Sequence, residues 1–132
     1  MAAACGASAA LLIVRILGPA LADIIKECRK AGIDSLVEVH SPGEVELAVN
    51  AGAKIIGVNC RDLDTLEVDP KIHSSIKTMI PPGMITVAES GIRDKEQVRE
   101  IKGMDYDAVL VGESLVRADD PGKKLRELLG QS

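Results

Sequence analysis

The chain has 132 residues, of which 46% are hydrophobic and 27% charged, and its formal net charge is −4. This length and composition favour a single globular domain. The acidic balance argues against a general nucleic-acid binder, and a single Tyr with no Phe or Trp leaves little to stack on a base. No apolar run approaches the roughly eighteen residues of a membrane helix, and the three cysteines lack metal-ligand spacing. We therefore expect free thiols, a cytoplasmic location, no bound metal, and neither a membrane nor a nucleic-acid partner.

Short apolar segments alternate along the chain with segments of helical spacing. The predicted strands are residues 9–16, 35–40, 54–59, 85–89 and 107–112. The predicted helices are residues 1–6 (a last turn), 21–30, 44–50, 70–79, 95–102, 115–117 and 123–129. Before the helix at 44–50, Ser41 is a predicted N-cap, Pro42 the first helical residue and Glu44 the partner in a capping box. Repeating βα units of this kind predict a parallel sheet.

Five βα units are too few to close an eight-stranded barrel. The first predicted strand, residues 9–16, is apolar apart from one Arg, which predicts burial on both faces. The first and last strands would nevertheless be open edges, which indicates a truncated barrel or self-association. Because a protein rarely begins with the last turn of a helix, we expect an N-terminal portion to be missing.

Polar residues and glycines stand where the predicted strands end. They are Glu38, Asn59, Arg61, Glu89, Ser90, Gly91, Gly112, Glu113 and Ser114. In parallel barrels, the carboxyl ends of the strands carry the catalytic residues. Glu38 and Glu89 have apolar neighbours, an environment that suits general acid–base chemistry. The glycine turns after the last two strands could direct backbone N–H groups at a phosphate.

Several of these residues, and the two histidines, also have a simpler interpretation. Glu38 could be solvated or ion-paired, His40 could be a structural hydrogen-bonding residue, and His73 is expected to be solvated on a surface helix. Other simple interpretations are a local ion pair of Arg61 with Asp62, and ordinary turn formation by Ser90, Gly91 and Gly112. The joint placement at four strand ends favours the functional interpretation.

Four segments carry a resemblance to a known family. LVEVH (36–40), IIGVNCRDL (55–63), AESGI (88–92) and VLVGESLVR (109–117) resemble indole-3-glycerol phosphate synthase in sequence, order and spacing. The resemblance runs over nearly the whole chain and implies an α/β fold of the (β/α)8 TIM-barrel type. It corresponds to barrel strands four to eight, so residues 1–132 would be the C-terminal part of a single TIM-barrel domain, present as a partial barrel of about five βα units.

The resemblance also implies an activity. The family closes the indole ring of 1-(o-carboxyphenylamino)-1-deoxyribulose 5-phosphate with loss of carbon dioxide and water, and it uses no metal or organic cofactor. The family's acid–base Glu falls on Glu38, and its substrate-positioning Asn and Glu fall on Asn59 and Glu89. Arg61 would organise the neighbouring loop. The implied phosphate-binding residues are Ser90, Gly91, Leu110, Gly112, Glu113 and Ser114.

One departure from the family pattern concerns catalysis. The family's catalytic lysines lie on strands one and three, outside the resemblance, so we expect the isolated chain to be inactive. Glu113 brings a negative charge to the phosphate turn and is expected to point outward, and Cys60 replaces a residue that is commonly polar.

Two alternatives remain open. One is another phosphate-binding barrel of the same pathway, such as phosphoribosylanthranilate isomerase. The other is a non-catalytic phosphate-binding half-barrel that associates with a second copy or a complementary half through its open sheet edges.

Overall fold

The computed structural model describes residues 1–131 as a five-stranded parallel sheet with helices between the strands. The strands are β1 (Ala9–Ile13), β2 (Asp34–Val39), β3 (Ile55–Asn59), β4 (Ile85–Glu89) and β5 (Ala108–Leu110). The helices are α1 (Val14–Leu17), α2 (Leu21–Lys30), α3 (Pro42–Asn50), α4 (Lys71–Lys77), α5 (Lys95–Gly103), α6 (Glu113–Val116) and α7 (Pro121–Leu128). Short 3₁₀ turns span Ala3–Cys5 and Gly18–Ala20.

The strands lie in the sheet in their chain order, each paired with the next in parallel. This is the arrangement of consecutive strands in a TIM barrel, and the sheet is open, so the predicted partial barrel is confirmed. No helix among residues 1–131 has the length and apolarity needed to cross a membrane.

The two faces of the sheet differ in burial, because side chains alternate along each strand. On one face, Val37, Ile56 and Val58 are fully buried in the apolar core that the sheet forms with the helices. On the other face, Leu11 and Leu110 on the two edge strands are each 51% exposed. The second face, called the open face below, corresponds to the interior of a closed barrel.

The register places the polar strand residues on this open face. Glu38 on β2 is aligned with Gly57 on β3, and Asn59 on β3 is aligned with Glu89 on β4. Glu89 is in turn aligned with Leu110 on β5. Because aligned residues point to the same side, the three polar groups face one another at the carboxyl end of the sheet.

The edge strands are shorter than predicted. The segment 9–16 was expected to be one strand buried on both faces, but β1 ends at Ile13 and its open face is exposed. Helix α1 begins at Val14, whose side chain is only 1% exposed, because the chain turns there to cover the helical face of the sheet. Strand β5 spans only Ala108–Leu110 and is exposed throughout.

The cap of α3 forms with one difference from the prediction. Ser41 Oγ accepts the backbone N–H of Glu44, as expected of an N-cap. The Glu44 carboxylate accepts the backbone N–H of His40 at 2.7 Å rather than that of Ser41. The capping interaction therefore begins one residue earlier and holds Glu44 beside the end of β2.

Candidate active site

An open cleft of about 940 Å³ lies at the carboxyl end of the sheet. Its volume is in the range of small-molecule sites. All ten residues predicted for the site line it, namely Glu38, Asn59, Arg61, Glu89, Ser90, Gly91, Leu110, Gly112, Glu113 and Ser114. The structure thus brings together residues that are up to 76 positions apart in the sequence, from 38 to 114. Their individual roles stay predictions.

Gly57 makes room for a pair of buried carboxyl groups. A Cβ atom added at Gly57 would collide with Glu89 Oε1 and lie 2.8 Å from Glu89 Cδ. The Glu89 side chain therefore reaches from β4 across β3 toward Glu38, and both glutamates are at most 3% exposed. Oε1 of Glu38 and Oε1 of Glu89 are buried without a hydrogen-bond donor among residues 1–131.

Two ionised carboxylates cannot satisfy each other, because both are acceptors only. A single proton held by the pair makes one group a donor to the other. Burial, a hydrogen bond to Glu38 and the negative charge of Glu38 raise the pKa of Glu89 to about 8, from an ordinary value of 4.5. The pair can thus hold a proton near neutral pH, which acid–base chemistry requires.

Asn59 and Arg61 connect the carboxyl pair to the last βα loop. Asn59 Oδ1 accepts the backbone N–H of Arg61, which fixes the turn after β3. The Arg61 guanidinium donates to Glu113 Oε2 at 2.7 Å and to the carbonyl of Leu66. Glu113 also pairs with Arg117 at 3.2 Å.

These contacts correct two expectations from the sequence. Glu113 was expected to point outward, but its carboxylate lies in the cleft between two arginines. The alternative ion pair of Arg61 with Asp62 is wrong, because Asp62 caps its own loop by accepting the N–H groups of Asp64 and Thr65. Those two bonds hold the pKa of Asp62 below its ordinary value.

The turn after β4 has an unusual backbone. Ser90 has φ +65° and Gly91 has φ +71°, so both lie in the left-handed region. For Ser90 this conformation is strained, and strain of this kind concentrates at functional sites. A Cβ atom at Gly91 would also lie 2.9 Å from Val68 and 3.0 Å from Cys60 Sγ, so only glycine fits.

Backbone N–H groups of two neighbouring loops are free at the edge of the cleft. Within residues 1–131, no acceptor is found for the N–H groups of Gly91, Gly112, Glu113 and Ser114. The Ser114 hydroxyl donates to the carbonyl of Ile92 at 2.6 Å and so ties the two loops together. Free N–H groups from adjacent loops are suited to holding an anion.

Sequence reasoning missed three cations that line the cleft, Arg93, Arg117 and Lys124. Arg117 follows Glu113 by four residues, a helical spacing that could have predicted the contact. Arg93 lies two residues after Gly91 in the same loop. Lys124 reaches the cleft from α7 through tertiary packing, for which the sequence carries no local signal.

The prediction that His73 is solvated is wrong. Its side chain on α4 is 2% exposed, its Nε2 lies 3.0 Å from the Glu89 carbonyl oxygen, and burial lowers its pKa. Tyr106 Oη donates to the backbone carbonyl of His73 at 2.9 Å, which adds a second hydrogen bond to this residue. The signal was available, since His73 precedes the apolar Ile76 by three residues and shares its helix face.

The prediction of a hydrogen-bonded His40 is also wrong in detail. Neither ring nitrogen of His40 makes a hydrogen bond of normal geometry within residues 1–131. The ring instead stands between the carboxylates of Glu38 and Glu44, 3.4 Å from each.

Comparison with known families gives one assignment over almost the whole chain. The family model described as indole-3-glycerol phosphate synthase matches residues 1–128. An indole-3-glycerol phosphate synthase of Desulfosudis oleivorans is 45% identical over 128 residues, and indole-3-glycerol phosphate synthase 2 of Streptomyces coelicolor is 44% identical over 130 residues. These alignments cover 96% and 98% of this chain but 49% and 50% of the relatives. The chain therefore spans about half the length of the curated relatives it matches.

Solved structures support the fold. A thiamine phosphate pyrophosphorylase from Pyrococcus furiosus superposes with a TM-score of 0.76 at 21% identity, covering 98% of this chain and 61% of that one. A 3-hexulose-6-phosphate synthase superposes with a TM-score of 0.76 at 12% identity, covering 95% and 62%. At these identities the similarity is one of fold alone.

Proposed function

Because the chain belongs to the indole-3-glycerol phosphate synthase family, we propose that it supplies the acid–base and phosphate-binding half of that enzyme's active site. The reaction is the closure of the indole ring of 1-(o-carboxyphenylamino)-1-deoxyribulose 5-phosphate, a carboxy-lyase reaction of tryptophan biosynthesis. The observation that carries the proposal is the convergence of the buried Glu38–Glu89 pair and the four free N–H groups on one cleft.

Glu38 is the proposed acid–base catalyst. Its carboxyl group is buried against that of Glu89, and one proton shared by the pair is available for transfer to or from the substrate. Glu89 and Asn59, which are aligned with each other on β4 and β3, position the substrate. Arg61 organises the loop above them through its ion pair with Glu113.

The substrate phosphate binds at the other end of the cleft. The N–H groups of Gly91, Gly112, Glu113 and Ser114 and the hydroxyl of Ser90 supply the donors, and Leu110 forms the wall beside them. Of the nearby cations, Arg117 and Lys124 are paired with Glu113 and Glu127. Arg93 makes no ion pair among residues 1–131 and adds a favourable potential for an anion. These groups require no metal or organic cofactor to hold the phosphate.

The open face implies a partner that completes the barrel. Leu11, Ile85 and Leu110 expose apolar side chains there, at 50–51% of their surface, and the outer edges of β1 and β5 have no neighbouring strand among residues 1–131. We propose that the partner is a complementary half-barrel that carries strands one to three and the catalytic lysines. A second copy of this chain would cover the same face without supplying the lysines.

A cytoplasmic location fits this biosynthetic role. Cys5, Cys28 and Cys60 are free thiols, as is usual in a reducing compartment.

The experiment follows product fluorescence for this chain alone and mixed with a fragment bearing strands one to three of a curated relative. We expect turnover in the mixture only. Turnover of phosphoribosylanthranilate instead would identify the isomerase alternative. A mixture that forms a stable complex and binds inorganic phosphate yet turns over neither substrate would support the non-catalytic alternative.

A further inference from the structure

Four ionisable side chains form a line from the cleft to the surface. Glu89 contacts Glu38, Glu38 Oε1 lies 3.4 Å from His40 Nε2, and His40 Nδ1 lies 3.4 Å from Glu44 Oε2. The exposed fraction of the side chain rises along this line, from 4% for Glu38 to 11% for His40 and 17% for Glu44. The ring of His40 is therefore the bridge between a buried carboxyl pair and a carboxylate that reaches water.

The geometry of this line suits proton transfer better than metal binding. The groups follow one another rather than converging, and residues 1–131 contain no cluster of three or more His, Cys, Asp or Glu placed to hold a metal ion. Both ring nitrogens of His40 are buried and lack an aligned hydrogen-bond partner within the described chain. Separations slightly longer than a hydrogen bond are common in unliganded catalytic sites and shorten when substrate binds.

The surroundings of His40 come from two elements. Glu38 approaches from β2, and Glu44 approaches from α3; they are the acidic residues in ion-pair contact with the ring among residues 1–131. Glu89 is not in ion-pair contact with the ring and interacts with Glu38. Glu44 is held in place by its hydrogen bond from the His40 backbone N–H at 2.7 Å.

We propose that His40, oriented by Glu44, relays protons between water and Glu38. The proposal rests on the proposed function, because it assumes that Glu38 gains and loses a proton in each turnover. His40 acts through Glu38 and is a positioning residue; Glu44 fixes its ring. Glu38 and Glu89 line the cleft but expose at most 3% of their surface. With substrate in the cleft, the His40 ring gives the pair a route to water on its other side.

The proton balance closes over one cycle. In the inward step, a proton on Glu44 Oε2 passes to Nδ1 while the proton on Nε2 passes to Glu38 Oε1. The bonds formed are Nδ1–H and Oε1–H, and the bonds broken are Oε2–H and Nε2–H. The outward step reverses all four, so one inward and one outward step restore the starting tautomer, and water supplies or accepts the net proton at Glu44.

The test compares His40→Ala and Glu44→Gln with Glu46→Gln, an exposed residue of the same helix α3. In the completed enzyme, we expect His40→Ala to lower kcat about 100-fold with little change in KM, because proton transfer commonly contributes that much. Added imidazole restores part of the lost rate, and the pH dependence of kcat changes shape. Glu44→Gln gives a smaller loss, and Glu46→Gln gives none.

An unchanged kcat in His40→Ala would overturn the relay, as would a loss that imidazole does not rescue in a variant of wild-type thermal stability. If His40→Ala does not fold, His40→Asn takes its place with the same two criteria.

A second readout needs no turnover and separates this proposal from the proposed function. The ¹⁵N resonances of the His40 ring are followed against pH in the chain and in Glu38→Gln and Glu44→Gln. We expect the pH dependence of the Nε2 resonance to change in Glu38→Gln and that of the Nδ1 resonance to change in Glu44→Gln. If the completed enzyme turns over no substrate, the proposed function fails, and a ring that responds to neither substitution then overturns the relay as well.

Discussion

At the scale of single residues, the site depends on the absence of a side chain at Gly57, which leaves room for the carboxyl group of Glu89. Without a Cβ at this position, the Glu89 carboxyl lies over β3 beside Glu38, where burial first and the contact with Glu38 second raise its pKa. The strand-end positions of Glu38 and Glu89 could be predicted from the sequence. Their contact could not, because it depends on the register that aligns Glu38 with Gly57.

Glu89→Gln should remove a pH dependence of folding. The folded-state pKa of about 8 lies above the ordinary 4.5, so the folded state holds a proton that the unfolded state releases. The free energy of unfolding therefore falls as pH rises from about 4.5 to 8, by an amount on the order of a few kcal/mol. Urea unfolding at pH 5 and pH 8 measures the difference.

The control for this experiment is Glu46→Gln, which changes an exposed carboxyl on α3. It should keep the slope of the wild type. An equal slope in Glu89→Gln and the wild type would mean that Glu89 does not retain its proton in the folded chain.

Gly57→Ala should displace Glu89 and destabilise the protein. The added methyl group must push aside a buried carboxyl, and overpacking of this kind costs about 1–3 kcal/mol. Gly43→Ala on α3 is the matched control, because a Cβ there meets no atom within 4 Å. Thermal unfolding compares the two variants; equal stabilities would contradict the close approach of Glu89 to Gly57.

At the scale of elements, three helices begin at N-cap side chains that can be recognised in the sequence. Ser41, Asp94 and Asp120 each accept an N–H group three residues ahead and begin α3, α5 and α7. The helix starts could therefore be predicted. The early end of β1 could not be predicted, because a continuous apolar run such as the one around Val14 is compatible with either a strand or a helix.

Asp94→Ala should loosen the helix that follows the phosphate turn. Asp94 Oδ1 accepts the N–H of Gln97 at 2.9 Å, and Gln97 Oε1 accepts the N–H of Arg93 at 2.7 Å. Loss of such a cap costs about 1 kcal/mol, measured by urea unfolding. Asp119→Ala is the control, since Asp119 is exposed and its side chain makes no hydrogen bond within residues 1–131; an equal effect of both changes would contradict the capping role.

At the scale of the whole molecule, one face of the sheet is covered by helices and the other is exposed. The helices bury Val37, Ile56 and Val58, while the apolar side chains of the open face stay accessible. The count of five βα units predicted an open sheet, but the apolar run at residues 9–16 predicted burial on both faces, and the exposed face of β1 does not bear that out. What covers the open face is not encoded in the described residues, because a parallel edge strand accepts any strand of matching direction.

Ile85→Lys should weaken association with the complementary half at least tenfold. Ile85 lies on the open face at the start of β4, away from the cleft, and burying an unpaired ammonium there is costly. Leu47→Lys is the control, because Leu47 on α3 is also 50% exposed but faces away from the sheet. Sedimentation of the mixture measures both, and an unchanged affinity in Ile85→Lys would exclude the open face as the interface.

We propose above that Glu38 performs the acid–base step in this cleft. The most direct measurement is the rate of indole-3-glycerol phosphate formation by the chain complemented with strands one to three, for the wild type, Glu38→Gln and Glu46→Gln. We expect a loss of at least about 100-fold for Glu38→Gln and no loss for Glu46→Gln. A complemented Glu38→Gln variant with the wild-type rate would contradict it.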